Sequence, residues 1–266
     1  MIRLIALDID GTIIDRSGRV SAENRAAIRE ARAAGATVVL ATGRSWQEAA
    51  DIAAEAGCDT PIVCLGGAGL ADLGEKRLLE HWPMADEDAL GILARLQEED
   101  LGLLAFAGGR LVVNERCEAV FRSYPCPAFH EQRILVPDLP SYLQEQGLAV
   151  DKIFALGKPE QLPPLRRVVE AWEDVYVTSS GPDNLEILRR GVDKGTALAA
   201  LARRLGVPME EVLCIGDSDN DRGMLAAAGI PVVMGNAAPE IQALGQYVTD
   251  TNERDGVAKA IRHFLA

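Results

Sequence analysis

Apolar runs and amphipathic stretches alternate at both ends of the chain. Residues 2–7 form a short, mostly apolar run ending in a turn at Gly11, and residues 37–41 and 61–65 read as two further buried strands. Helical periodicity fills the gaps. Residues 21–34 have Ser21 as a candidate N-cap and Gly35 as the stop. Ser45 opens the next helix, with Glu48 three positions on to complete a capping box and Gly57 to end it. The C-terminal stretch repeats the grammar: an Ala- and Leu-rich helix at 194–205 closed by Gly206, a strand at 212–215, a helix at 219–228, a strand at 231–234, a short strand at 247–249 and a helix at 256–265. Fully apolar strands separated by amphipathic helices predict parallel strands joined by right-handed crossovers.

Between about 83 and 189 the texture changes. A helix at 85–100 precedes two strands, 101–107 and 110–114, that read as a hairpin around Gly108-Gly109. A Pro-containing stretch follows, then a strand at 152–156, a helix at 162–172 and a strand pair at 175–178 and 184–188. About 100 residues is enough for an independent domain. The predicted class is therefore α/β: a Rossmann-like parallel-sheet core with helices on both faces, built from residues 1–83 and 189–266, plus an inserted α+β domain with an antiparallel sheet at 84–188.

Composition narrows the function. The chain of 266 residues is 48% hydrophobic, which excludes disorder and allows a core without disulfides or a structural metal. Its 27 basic and 40 acidic side chains give a net charge of −13, which argues against nucleic acid or an anionic membrane as a partner. A small anionic substrate would need a locally positive pocket. Five cysteines with no Cys-x-x-Cys pair read as reduced thiols. The N-terminal apolar run is too short for a signal peptide, and no stretch approaches the roughly 18 apolar residues of a membrane span. The expected location is the cytoplasm; oligomeric state is left open.

Two acidic clusters follow predicted strands. In Asp8-Ile9-Asp10-Gly11-Thr12 the carboxylates are two apart on an extended segment, so both point to one side at the carboxyl edge of the sheet, where open α/β sheets bind ligands. An Asp-x-Asp-Gly segment is also an ordinary strand-ending turn. In Gly216-Asp217-Ser218-Asp219-Asn220-Asp221 three carboxylates and an Asn exceed what helix capping uses, and they offer hard oxygen ligands suited to Mg²⁺. Two further segments carry donors and positive charge. Thr42-Gly43-Arg44 offers a hydroxyl and free N–H groups before a helix, and Lys194 opens a helix at the end where a cation is disfavoured.

Taken in order, Asp8-Ile-Asp10-Gly-Thr, Ala41-Thr42-Gly43-Arg44, Lys194-Gly195 and Gly216-Asp217-Ser218-Asp219-Asn220-Asp221 resemble the four motifs of the haloacid dehalogenase (HAD) superfamily. The segments Val233-Met234-Gly235-Asn236-Ala237 and Asp255-Gly256-Val257-Ala258 resemble its Cof-type branch. Asp8 and Thr42 are one crossover apart, whereas the interval from Thr42 to Lys194 has room for a domain; the resemblance makes that insert a cap of type C2B that sets substrate specificity. It further implies a phosphatase in which Asp8 is the nucleophile, forming an aspartyl-phosphate, and Asp10 the acid and base. Mg²⁺ would be held by Asp8, the main chain of Asp10 and Asp217, supported by Asp221. Thr42, Gly43, Lys194 and Asn220 would hold the phosphoryl group, with Ile9 beside it and Arg44 adding positive charge. Small phosphorylated metabolites, sugar phosphates first, are the implied substrates. A phosphomutase of the phosphomannomutase type, or a non-catalytic phosphoacceptor switch, are the alternatives. One departure concerns Gly66, which stands where Cof-type proteins usually carry Asn. His81, His130 and His263 are scattered and read as structural or exposed.

Overall fold

A computed structural model of the chain describes residues 1–124 and 126–265. The chain divides into two compact units, Met1–Glu80 with Asp193–Ala266, and His81–Val192. The breaks fall at 80/81 and 192/193, against 83/84 and 188/189 read from the sequence. His81 is bonded to Asp151 of the insert, and Arg189 still pairs with Val175, so both belong to the second unit.

The core starts with β1 (Leu4–Leu7) and β2 (Thr37–Leu40), which pair in parallel. Nearly every side chain in them is fully buried. Each Leu, Ile or Val so removed from water contributes about 1.5–3 kcal/mol. The helix between them, Ala22–Ala33, is capped by Ser21, whose hydroxyl accepts the Asn24 N–H at 3.0 Å. The next helix, Trp46–Ala56, has the expected Ser45–Glu48 capping box and ends at Gly57 in the left-handed conformation.

The third strand departs from expectation. β3 (Ile62–Cys64) meets the main sheet at a single parallel bridge, Ala41 to Val63, and pairs antiparallel with β4 (Gly69–Asp72), which is followed by β5 (Arg77–His81) in a separate three-stranded sheet. The strands β4 and β5 were not legible in the sequence. β5 is largely exposed, so it lacks an apolar run to mark it.

In the inserted unit the sheet order is β10-β11-β9-β6-β7-β8, with β6 (Gly102–Ala107), β7 (Arg110–Val113), β8 (Arg133–Leu135), β9 (Val150–Leu156), β10 (Val175–Thr178) and β11 (Asn184–Arg189). The hairpin at Gly108-Gly109 forms as predicted. The pairing is antiparallel except for β7 with β8, which run parallel and correct the all-antiparallel expectation. Short helices at Glu115–Phe121, Pro127–Gln132 and Leu139–Gln146 occupy the Pro-containing stretch, where the pattern showed none. One face of this sheet (Leu103, Ala105, Ile153, Ile187) packs with Ile92 and Leu96 of helix Asp86–Gln97 and with Leu143 in the unit's own core. On β9 and β11, Lys152 and Glu186 form a buried ion pair at 2.5 Å, with the rings of Phe106 and Phe154 beside the ammonium.

The chain returns to the core with β12 (Val212–Gly216), β13 (Ile230–Val233) and β14 (Tyr247–Val248). The main sheet is parallel throughout, in the order β14-β13-β12-β1-β2. Helices Lys194–Leu205 and Gly256–Leu265 keep their predicted bounds. The helix expected at 219–228 instead begins as a 3-10 turn, Asp219–Asp221, before helix Arg222–Ala227. Helices Ala22–Ala33 and Gly256–Leu265 pack on each other, as do Lys194–Leu205 and Arg222–Ala227, giving the sheet its two helical layers. Among the described residues no helix is long and apolar enough to cross a membrane.

Candidate active site

Sheet register assembles the site. Leu7 on β1, which lies between β12 and β2, is level with Leu40 on β2 and Ile215 on β12. The ladder continues one step, with the Asp8 N–H donating to the Ile215 carbonyl at 3.0 Å and the Ala41 N–H to the Leu7 carbonyl at 2.8 Å. The three chains then turn away from one another, leaving Asp8, Thr42 and Asp217 at the same carboxyl edge.

The loop after β12 is organised around Asp221, which is fully buried. Its Oδ2 accepts the main-chain N–H groups of Asp217 at 2.8 Å and Ser218 at 3.0 Å. Gly216 leaves it room: a Cβ there would lie 2.5 Å from the Asp221 carboxyl carbon.

Lys194 starts helix Lys194–Leu205, capped by Asp193, whose carboxylate accepts the Thr196 N–H at 2.7 Å. A Cβ on Gly195 would collide with the Gly223 carbonyl at 2.2 Å, so the two helix starts touch backbone to backbone. That approach carries the ammonium inward. Lys194 has no exposed surface; its Nζ donates to Asp8 Oδ1 at 2.6 Å, Asp221 Oδ1 at 2.7 Å and Asn220 Oδ1 at 3.1 Å. Burial alone would push its pKa down, but Asp221 and Asp8 more than reverse that, so it stays charged. The cation at the unfavourable end of a helix is thus explained by the carboxylates it meets.

Asp8, Asp217 and Asp221 bring ligand oxygens within 4.8 Å of one another. Burial, then the charge of Asp221, pushes the Asp8 pKa well up, with Lys194 opposing. The same two causes raise Asp217 to about 7. Three carboxylates facing one ammonium leave two uncompensated negative charges in a buried pocket of hard oxygen donors, and this donor set fits a small divalent cation.

A family model of haloacid dehalogenase-like hydrolases matches residues 5–261. Phosphatase YwpJ of Bacillus subtilis is 32% identical over 287 aligned positions, covering 99% of this chain and 100% of its own. The 5-amino-6-(5-phospho-D-ribitylamino)uracil phosphatase YcsE of the same organism is 32% identical over 269, covering 99% and 96%. A solved haloacid dehalogenase-like hydrolase from B. subtilis superimposes with a TM-score of 0.88 at 29% identity, covering 98% of this chain and 99% of that one. The chain belongs to the haloacid dehalogenase-like hydrolases. It is an enzyme of their Cof-type phosphatase branch, as the four motifs and the tail implied.

Within that HAD framework the residues singled out in the sequence do not all converge. Asp10 lies outside the carboxylate cluster, its side chain about half exposed, held by Arg44. The Ile9 side chain is fully buried in the core, so only its main chain can meet a ligand. Thr42 is buried, its hydroxyl accepting the Arg44 N–H at 3.1 Å. Asn220 turns its carbonyl oxygen to Lys194 and to the Ser218 hydroxyl. At Gly66 φ is +70°, a conformation that Asn also tolerates, so the substitution keeps the backbone turn and removes only an amide.

Two partners of Asp217 escaped sequence reading. The Thr12 hydroxyl donates to its Oδ1 at 3.1 Å, and Asn236 Nδ2 donates to its Oδ2 at 3.3 Å and to the Gly11 carbonyl at 2.9 Å. Both lie inside the motifs, Thr12 beside the acids and Asn236 in the turn that follows β13. Only the third dimension shows what they touch.

Proposed function

We propose that this chain is a Mg²⁺-dependent phosphatase acting on small phosphorylated metabolites, sugar or polyol phosphates in particular, through an aspartyl-phosphate on Asp8. The observation that carries the reading is the fully buried Lys194 ammonium bound to Asp8 and Asp221 beside Asp217. Such a pocket sets a buried ammonium and a divalent-ion site around one carboxylate oxygen, so the positive charge that a phosphate dianion needs would be supplied locally once the ion is bound, despite the net charge of −13. The YcsE relative is named for a substrate whose phosphate sits on a ribityl group, which supports a phosphorylated polyol or sugar here.

Asp8, the main-chain carbonyl of Asp10 and Asp217 would hold Mg²⁺, with Asp221 bracing the loop. The ion when bound supplies charge that offsets repulsion between the carboxylate and a phosphate dianion. Asp8 attacks phosphorus through a carboxylate oxygen while Lys194 neutralises the other side of the pocket. The Thr42 hydroxyl, the Gly43 N–H, Asn220 and Lys194 hold the equatorial oxygens as charge redistributes. Asp10 gives a proton to the departing alcohol and takes one from the water that hydrolyses the intermediate. The inserted unit serves as the C2B cap and sets specificity.

The test is phosphate release from p-nitrophenyl phosphate and a panel of sugar phosphates, with Mg²⁺ or EDTA. Release with Mg²⁺ that vanishes in Asp8→Asn is expected. Release that persists in Asp8→Asn, or hexose 1-phosphate isomerised without net phosphate release, refutes the proposal, the latter in favour of a mutase.

A further inference from the structure

Arg44 and Asp10 form an ion pair to which the mechanism above gives no role. The guanidinium grips the carboxylate with both arms, Nε donating to Asp10 Oδ2 at 2.9 Å and Nη2 to Oδ1 at 2.6 Å. The Asp10 side chain is 53% exposed whereas that of Arg44 is 18% exposed, so a mostly covered arginine reaches out to a carboxylate standing in water. The main chain of Arg44 is itself fastened on both sides. Its N–H meets the Thr42 hydroxyl, and its carbonyl accepts the Leu65 N–H at 2.8 Å. Leu65 makes that bond at φ +55°, a left-handed conformation that costs a non-glycine residue about 1–2 kcal/mol. Gly66 and Gly67 follow at φ +70° and +108°, and the Gly66 N–H bonds the Thr42 carbonyl at 2.9 Å. A strained, hydrogen-bonded turn therefore anchors the base of Arg44.

We propose that Arg44 is the positioning residue for Asp10, fixing the direction of its carboxylate for proton transfer at the leaving oxygen; this rests on the phosphatase reading. A bidentate fork removes the rotational freedom of an exposed Asp, and lone pairs on both carboxylate oxygens remain outside the two N–H bonds. As the ester P–O bond breaks, its electron pair goes to the leaving oxygen, which takes the proton carried by Asp10. When water attacks the aspartyl-phosphate, Asp10 recovers a proton from that water, the oxygen stays on phosphorus and the Asp8 carboxylate is released. Arg44 touches neither phosphorus nor leaving group in either step.

The readout is how the rate depends on the leaving group. Phenyl phosphate needs a proton on its departing oxygen far more than p-nitrophenyl phosphate does. Arg44→Gln should lower kcat/KM, which reports only the steps up to expulsion of the leaving group, by about 10- to 100-fold on phenyl phosphate, the low part of the range for general acid catalysis, and far less on p-nitrophenyl phosphate. Asp10→Asn should show the same selectivity in kcat/KM, with a further loss of kcat on both esters because Asp10 also serves hydrolysis of the intermediate, and the double variant should be no slower than Asp10→Asn. Arg44→Lys, which keeps the charge but not the fork, should recover only part of the phenyl phosphate rate and serves if Arg44→Gln does not fold. Equal losses of kcat/KM on both esters, or losses that multiply in the double variant, overturn the proposal, because Arg44 would then act on the phosphoryl group or on folding. Wild-type activity on the p-nitrophenyl ester alone also overturns it, since there would be no acid to position. Wild-type release that survives Asp8→Asn defeats the phosphatase reading itself.

Discussion

Replacing Asp217 by Asn is predicted to stabilise the metal-free protein while abolishing its response to Mg²⁺. Asp217 sits among buried acids, and its pKa is pushed from 3.8 up to about 7 by burial and then by the charge of Asp221. At about 1.4 kcal/mol per pH unit, holding it ionised in the folded state costs roughly 4 kcal/mol. The Thr12 bond is already included in that cost; the amide further gives up the charge-assisted bond from Asn236, worth about 1.5–3 kcal/mol, so a net gain of about 1–3 kcal/mol remains. For a chain of this size that raises Tm by roughly 3–10 °C in EDTA at pH 8. The sign with pH follows from the raised value. The folded state holds this proton more tightly than the unfolded one, so the cost is complete above about 7, fades as pH falls towards 3.8 and is absent below it. Metal-free wild type should therefore gain stability between pH 8 and pH 5, and Asp217→Asn should gain less. Thermal unfolding at the two pH values, in EDTA and in Mg²⁺, measures all of this. A variant that melts lower than wild type in EDTA at pH 8, or one still stabilised by Mg²⁺ as wild type is, refutes the reasoning.

Lys194→Met leaves the buried Asp8 and Asp221 carboxylates facing each other, and should destabilise the fold by about 3–5 kcal/mol in urea unfolding; an unchanged midpoint would show the ion pair to be dispensable. Gly11→Ala places a methyl 2.3 Å from Asp217 Oδ2 at φ +79°, and should remove both activity and the Mg²⁺-induced rise in Tm. Gly57→Ala, at φ +73° with open space around it, should cost only about 1 kcal/mol and spare activity; equal effects from the two would rule out a collision with Asp217. In the insert, Lys152→Met should cost about 3–5 kcal/mol by stranding the Glu186 charge, while Lys152→Met with Glu186→Met should restore stability, as read by urea midpoints.

What the chain announced by itself was local. Apolar runs, the Ser45–Glu48 capping box and glycines at helix ends specify elements through neighbours only a few residues apart, so helices such as Lys194–Leu205 and Gly256–Leu265 were legible to the residue. The motifs likewise singled out candidate side chains, and their order carried the family. Tertiary structure decided which of them meet. Register between β1, β2 and β12 brought Asp8, Thr42 and Asp217 to one edge, and the backbone contact of Gly195 with Gly223 drew Lys194 into the carboxylates. It also turned Asp10 to Arg44, gave Asp217 the partners Thr12 and Asn236, and peeled β3 away into a hairpin with β4 that the largely exposed β5 extends. Such pairings join residues as much as two hundred positions apart (Asp217 lies 205 from Thr12), and depend on how close two backbones come. Hydrophobic period and cap chemistry report only what a residue does within its own turn or strand.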